Sequence, residues 1–497
     1  MRRAYLALFL LALALHLCFV SIGWENPLLD RHGFRQAQTA LGARTILNGS
    51  SLFEHELPVF GKPWAIPIEF PLYQAAVAAV ARATPLEIDQ AGRLVSAIAF
   101  YLLLPVLYAG LAIVEPDGSR RLLMLAFVLV SPLYIFWSRA VMIESTALLF
   151  AIAFVVASIR SFERPAWIAV AIVAGIVAAL VKATTFAVAL VPLAIYAALR
   201  RRPIAVILIA IPLACGEWWT RYADAVRARN PVAEAKTSLA YLQSWTYGTL
   251  AQRADLSQCR TMFARSAPTI AGQTLLVHWL PVTVVAAALG IAITKRYRVA
   301  ALVMLAAFVA GPLVFFNVYA VHDYYFYANG IYAALFIAFG IVALGEHVRK
   351  PILVSIIAMA LMLSSYILDY YYSQTVAIGI PPATAAVRRL TKSGDVIVIY
   401  GQDWNPAFPY YARRRALMGV DQRGPDDPKL QQALRNLRGE RVGAVVVSGD
   451  LRDDQARLAP RLALFGCAAP PVYRDPLTDV YLPGRSVNTA WLSRSWR

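Results

Sequence analysis

The sequence predicts a polytopic α-helical membrane protein with a small soluble α/β domain at its C-terminal end, and three observations support this. Apolar side chains make up 59% of the 497 residues and charged ones 15%, against about 45–50% and 25% in an ordinary soluble domain. The apolar residues fall in runs of about twenty, the length a helix needs to cross a hydrocarbon core of about 30 Å. From about residue 373 the charge rises, and short β-branched runs alternate with a helical stretch. A plain globular enzyme is excluded by the first two observations.

Taken in chain order, the apolar runs predict about eleven spans: 4–23, 92–114, 120–137, 143–160, 165–181, 184–199, 203–219, 272–293, 298–320, 326–345 and 350–369. Met1-Arg2-Arg3 precedes an apolar run that continues to about Gly23 with no Ala-x-Ala site at its end, so the first span is expected to be retained rather than cleaved. With the N-terminus inside, the short inner connections hold Arg120-Arg121, Arg160 to Arg164, Arg200 to Arg202, Lys295 to Arg298 and His347 to Lys350. All are basic, as the positive-inside rule requires. The net charge of +18 is spread over these short clusters, so it is a topology signal and not a nucleic-acid-binding face.

The outer side receives two long segments, 24–91 and 220–271, and tight turns at Arg139, Lys182 and His322-Asp323. An odd number of spans also places the C-terminal region outside. There Asp395 to Tyr400 and Val442 to Ser448 read as strands and 428–438 as a helix. The expected organisation is therefore a membrane domain over 1–372, including both outer loops, and an outer α/β domain over 373–497. Four cysteines are too few for a disulfide framework, and none has zinc spacing.

Ionisable residues at span ends are costly and are functional candidates by default. Those that topology does not explain are Asp30, His32, Arg35, Glu69, Arg139, Glu144, Lys182, His322 and Asp323, and all fall on the outer side. Carboxylates mixed with Arg and Lys at the boundary of water and lipid suit a substrate with a phosphate head and an apolar tail. The cations would hold the phosphate by charge-assisted hydrogen bonds, and a carboxylate would act as general base. Each residue also has a plainer structural use. Asp30 is a good helix N-cap, Arg139 and Glu144 are spaced to pair with each other, Lys182 is long enough to snorkel, and Tyr324 and Tyr325 fit an interfacial aromatic belt. His322 and Asp323, being adjacent, do not face each other on a helix.

The first outer segment carries Gly61-Lys62-Pro63 and Pro71-Leu72-Tyr73. Ser131-Pro132 is followed by Arg139 and Glu144, Lys182 follows the fifth span, and His322 to Tyr327 form a late Tyr-rich turn. In this order and on this common side, over about residues 4 to 345, the motifs resemble the GT-C glycosyltransferases. The nearest branch in this resemblance relates bacterial protein mannosyltransferases and lipid A aminoarabinose transferases. The resemblance implies a GT-C type fold with interfacial helices in the first outer loop. It also implies a transferase that moves a sugar, with inversion, from a polyprenyl-phosphate donor to a glycan, lipid A or protein acceptor at the periplasmic face of a bacterial inner membrane.

By this resemblance Asp30 is the catalytic base, with Glu69 and Glu144 as competitors. The family's Asp-Glu pair falls here on Arg35-Gln36, which cannot serve as a base. Lys182, Arg139, Arg35 and His322 would hold the donor phosphate. His32, Gln36, Trp64, Tyr73, Asp323, Tyr324 and Tyr325 would line the sugar or acceptor site. No metal-ligand spacing is present and no cofactor is expected, although a divalent cation is left open. Two other readings stay in view: a transporter or flippase for an anionic lipid or sugar, and a lipid-linked glycan ligase or polymerase.

Overall fold

The computed structural model describes residues 1–257, 280–467 and 470–484, with the side chains of 280–284 excepted. The chain divides into two compact units. The first comprises Met1–Glu25, Gln90–Trp219 and Gln243–Ala377, and the second Asn26–Asp89, Thr220–Leu242 and Ile378–Arg497.

The first unit is helical. Among the described residues of the chain, six helices are long and apolar enough to cross a membrane: Arg2–Ser21, Ile88–Leu111, Glu144–Ser161, Ile204–Arg227, Asp323–His347 and Pro351–Thr375. Four shorter apolar helices accompany them: Trp167–Val181, Ala183–Leu199, Val285–Thr294 and Arg298–Val314. The expected span 120–137 is instead two pieces, Gly118–Leu129 and Pro132–Trp137. Pro132 has no amide proton to continue the first helix, but it fits the first turn of the next. The early part of the expected span 272–293 lies outside the described residues.

Phe326–His347 is the central helix of this unit, buried over almost its whole length. It packs on Leu280–Thr294, Arg298–Val314, Pro351–Tyr366 and Gly118–Leu129. Its crossing with Leu280–Thr294 is made by glycine: a Cβ on Gly340 would lie 2.3 Å from the Ala287 carbonyl oxygen, and one on Gly290 would lie 2.1 Å from that of Gly340. Lipid tails are as apolar as leucine, so helices in a bilayer gain by close backbone approach of this kind. Trp167–Val181 buries a stripe of small residues, Ala171, Ala174, Gly175, Ala178 and Ala179, at helical spacing.

Arginines at and near helix ends also serve as clamps in this unit. Fully buried Glu115 accepts hydrogen bonds from Tyr297 and Arg296 (2.8 Å), and Arg120 and Arg296 both reach Glu346, at 2.5 and 3.2 Å.

The second unit holds a five-stranded sheet in the order β2-β1-β3-β5-β4. Its strands are β1 (Val396–Tyr400), β2 (Arg415–Leu417), β3 (Val442–Ser448), β4 (Tyr473–Arg474) and β5 (Thr478–Tyr481). β1 runs parallel to β2 and β3, with Ile397 opposite Ala416 and Ala444, while β5 is antiparallel to β3 and β4. β1 is buried along its whole length, which explains its unbroken apolar sequence. Pro428–Asn436 is a helix because Asp427 caps it, accepting from the Lys429 and Leu430 amides at 2.9 and 3.0 Å.

The first outer segment also belongs to this unit, with helices Gly33–Leu47 and Leu72–Ala83. Its residues 58–61 pair with the outer edge of β2: the Ala416 amide donates to Pro58, Met418 to Val59, and Gly61 to Ala416, at 2.8–3.0 Å. The exposed edge of a sheet is thereby covered.

At the C-terminal end of β1, Gly401 has φ +84° and lies against β3, where a Cβ would come within 1.8 Å of the Ser448 carbonyl oxygen. Both the left-handed backbone and the lack of space require glycine there. Gly401→Ala is expected to destabilise the protein by about 3 kcal/mol or more. Thermal unfolding of the purified variant measures this, and an unchanged midpoint would contradict the packing described.

Candidate active site

The candidate residues form two clusters, one in each unit.

In the first unit, breaks in helix continuity place the polar groups. The chain turns between Trp137 and Glu144, and the Ser96 hydroxyl pins this turn by donating to the Ala140 carbonyl at 2.6 Å. Arg139, buried in the turn, donates to the Gly23 carbonyl at 3.3 Å. Its guanidinium is 5.6 Å from the Phe136 ring centre. Glu144 is the first residue of the following helix, where the positive end of the helix dipole favours a carboxylate.

Lys182 separates two helices in an extended conformation (φ −157°, ψ 97°). Its ammonium donates to Glu144 Oε1 at 2.7 Å, with the two side chains 8% and 4% exposed. The same nitrogen is 4.2 Å from the Tyr325 ring centre and 5.3 Å from that of Tyr324, within reach for cation–π attraction. Glu144 Oε2 is buried with no hydrogen-bond partner among the described residues.

His322 ends one helix in an extended conformation (φ −122°, ψ 109°), and Asp323–Tyr325 forms a single 3-10 turn. The His322 ring is 5.4 Å from Tyr324 and 6.1 Å from Trp245, and Trp245 is tethered by Asn317 donating to its carbonyl at 2.7 Å. Two buried hydroxyl contacts fix the start of the central helix: Ser145 to Tyr327 (2.8 Å) and Tyr134 to the Tyr327 carbonyl (2.9 Å).

Glu144 therefore pairs with Lys182, 38 positions away, and not with Arg139. Lys182 does not snorkel; it is buried and bonded.

In the second unit, Asp30 lies in the approach to Gly33–Leu47. It does not cap that helix: the N-cap position is His32, at φ 54°, with no side-chain capping bond. A non-glycine residue in the left-handed region carries about 1 kcal/mol of backbone strain. The Asp30 carboxylate accepts from the Gln36 amide, and Gln36 also reaches the Arg31 carbonyl at 3.0 Å. One helical step from Gln36, Arg35 forms an ion pair with Glu69, both largely buried. Gln74 donates to the second Glu69 oxygen at 3.1 Å. Burial holds the nearby His55 imidazole below its ordinary pKa, against the opposing effect of the Glu69 charge. Tyr73 is wholly buried, and Trp64 is buried with the Arg415 guanidinium 5.4 Å from its ring.

Sequence reasoning passed over Asn230. Fully buried, its amide donates to the carbonyls of Phe60, Gly61 and Pro63 at 2.9–3.3 Å, and its oxygen accepts from the Val232 and Ala233 amides. This one side chain closes the Gly61-Lys62-Pro63 turn, whose Lys62 pairs with Glu440 at 2.5 Å. Asn230→Ala leaves several buried backbone groups unsatisfied, each costing about 1–3 kcal/mol. The expected loss of stability is about 3 kcal/mol, readable in thermal unfolding, and a midpoint equal to wild type would contradict this role. The only local sequence signal was the Asn-Pro step at 230–231. Trp245 and Gln74 were likewise missed: Trp245 because its partners Asn317 and His322 are more than 70 positions away, and Gln74 because an uncharged side chain gives no signal of its bond to Glu69.

Among the described residues no three His, Cys, Asp or Glu side chains gather to hold a metal ion. Neither cluster offers such a donor set among the described residues.

No family model matches the sequence, and no curated protein matches it. Solved structures do. The chain is similar to ArnT from Cupriavidus metallidurans bound to undecaprenyl phosphate, with a TM-score of 0.61 and 13% identity over 96% of this chain and 98% of that one. It is similar to the oligosaccharyltransferase AglB from Archaeoglobus fulgidus in complex with an inhibitory peptide and a dolichol-phosphate, with a TM-score of 0.54 and 12% identity over 91% and 70%. A third similarity is to the arabinofuranosyltransferase AftD from Mycobacteria, with a TM-score of 0.51 and 15% identity over 96% of this chain and 40% of that one. Likeness at this level of identity speaks to the fold, and the chain has the GT-C fold of these structures.

Proposed function

We propose that this protein is an integral-membrane glycosyltransferase that moves a sugar from a polyprenyl-phosphate donor to an acceptor hydroxyl, with inversion, at the periplasmic face of a bacterial inner membrane. The observation that carries this reading is the buried Lys182–Glu144 pair with Tyr324 and Tyr325, in a fold matched end to end by a structure bound to undecaprenyl phosphate. In this reading the N-terminus is cytoplasmic, about eleven spans cross the bilayer, and residues 373–497 form a periplasmic α/β domain.

The reaction breaks the bond between the sugar's anomeric carbon and the phosphate oxygen, and the bonding pair leaves with the carrier phosphate. The acceptor oxygen attacks from the opposite face, and its proton passes to a carboxylate. The transition state is oxocarbenium-like, as in glycoside hydrolysis. Charge grows on the departing phosphate, and a fixed cation beside it is worth most where water is excluded. Lys182 supplies that cation, assisted by Arg139, Arg35 and His322. Asp30 is the base, oriented by Gln36; Glu69, bound to Arg35 and Gln74, and Glu144, bound to Lys182, are the alternatives. His32, Gln36, Trp64, Tyr73, Asp323, Tyr324 and Tyr325 contact the sugar or the acceptor.

Native mass spectrometry of the purified full-length chain tests the donor class. Undecaprenyl phosphate is expected to stay bound where undecaprenol is lost, and equal retention of the two would contradict a phosphate-holding site.

A further inference from the structure

We propose that the second unit carries a cleft for a phosphate-bearing saccharide, built on Arg44, Arg413 and Arg415. The cleft has a volume of about 640 Å³, within the range of small-molecule sites. Four guanidinium groups line it, those of Arg44, Arg413, Arg414 and Arg415, against two carboxylates, Glu56 and Glu87. Its polar wall continues in uncharged groups such as Asn48 and Ser393, which suit sugar hydroxyls.

The arginines divide by what they already hold. Arg414 is buried, with its nitrogens on Thr391 and on backbone carbonyls at 2.8–3.5 Å, so it shapes the wall. Arg44 stands over the Tyr410 ring, its guanidinium carbon 3.7 Å from the ring centre, and donates from one nitrogen to the Tyr410 carbonyl at 2.5 Å. The ring and the carbonyl hold the guanidinium in place, and the bond to the carbonyl engages one nitrogen, which leaves the others for a ligand. Arg413 stands at φ 53°, a left-handed backbone, and meets Glu87 only at 3.6 Å, with both side chains more than half exposed. Arg415 meets Glu56 at 3.0 Å and is 45% exposed.

Exposed pairs of this kind contribute little to stability, so a fold-holding purpose accounts for Arg414 but not for Arg413 and Arg415. A planar guanidinium matches a phosphate bidentately, and two half-free forks beside hydroxyl and amide groups fit a sugar phosphate better than a bare anion. If the chain is the transferase proposed above, this cleft selects an anionic glycan as acceptor. That role rests on the transferase reading, whereas binding itself does not.

Calorimetric titration of the purified full-length protein with glucose 1-phosphate, glucose and inorganic phosphate tests the cleft. Glucose 1-phosphate is expected to bind saturably, inorganic phosphate more weakly, and glucose not at all. Loss of two charge-assisted contacts in Arg413→Ala/Arg415→Ala is expected to weaken the sugar phosphate by about tenfold or more, with unfolding temperature unchanged. Arg413→Lys/Arg415→Lys keeps the charge without the fork and is expected to fall between. Inorganic phosphate binding as tightly as glucose 1-phosphate overturns the saccharide assignment, and equal affinity in both variants overturns the cleft. The titration uses no polyprenyl donor, so its failure leaves the transferase reading standing, and loss of that reading leaves the binding result standing.

Discussion

Lys182→Met is expected to lower sugar transfer by about 10³-fold, the cost of removing a preorganised charge from a transition state. The same change leaves Glu144 buried and unpaired, which costs about 3–5 kcal/mol of stability, so activity alone does not separate a phosphate ligand from a structural pair. The double variant Lys182→Met/Glu144→Gln removes both charges and is expected to regain most of that stability. A merely structural Lys182 would then leave undecaprenyl phosphate affinity at the wild-type level. A lysine that holds phosphate is expected to leave the double variant at least tenfold weaker for undecaprenyl phosphate, measured by native mass spectrometry on the purified full-length protein. Wild-type affinity in the double variant would remove Lys182 from the site.

Asp30→Asn is expected to reduce kcat by about 10²–10⁴-fold, the usual contribution of a positioned general base, with donor affinity unchanged. Asparagine keeps an oxygen for the Gln36 amide, so the local fold is expected to survive and the loss to report proton transfer. Steady-state transfer in reconstituted membranes, with donor binding measured separately, makes the comparison. Full activity in Asp30→Asn would exclude it as the base and leave Glu69 and Glu144. These two differ in surroundings. Both Glu69 oxygens are engaged, by Arg35 and Gln74, while Glu144 Oε2 has no hydrogen-bond partner among the described residues.

Much of the helical layout was legible because span length and apolar runs are local properties. The break at Ser131-Pro132 was also written in the sequence, but a 120–137 reading weighs the apolar run above the missing amide proton. Strands at Val396–Tyr400 and Val442–Ser448 were visible from their β-branched runs. The pairing of residues 58–61 with β2 was not, because nothing local marks Pro58 to Gly61 as a partner for a strand more than 350 residues later.

Among the candidate residues, sequence reasoning picked out which ones are polar where polarity is costly. It did not show their partners. Lys182 and Glu144 meet because two helix breaks, distant in sequence, are packed together, and Arg139 and Glu144, five apart, looked the more natural pair. Asp30 looked like an N-cap, but that position falls to His32 two residues later. Partner choice is settled by tertiary packing, on which spacing along the chain is silent. Asn230 illustrates the same limit, since a single buried amide that closes a turn has no periodic pattern to announce it.

The most direct test of a polyprenyl-phosphate sugar transferase is mass spectrometry of lipid extracts and envelope glycans from three strains: wild type, a deletion, and the deletion carrying Lys182→Met. The transferase reading expects both altered strains to accumulate one polyprenyl-phosphate sugar and to lose that same sugar from one envelope molecule. An unchanged carrier pool in the deletion, with a lipid or solute displaced to the wrong side of the membrane, would contradict it and point to transport.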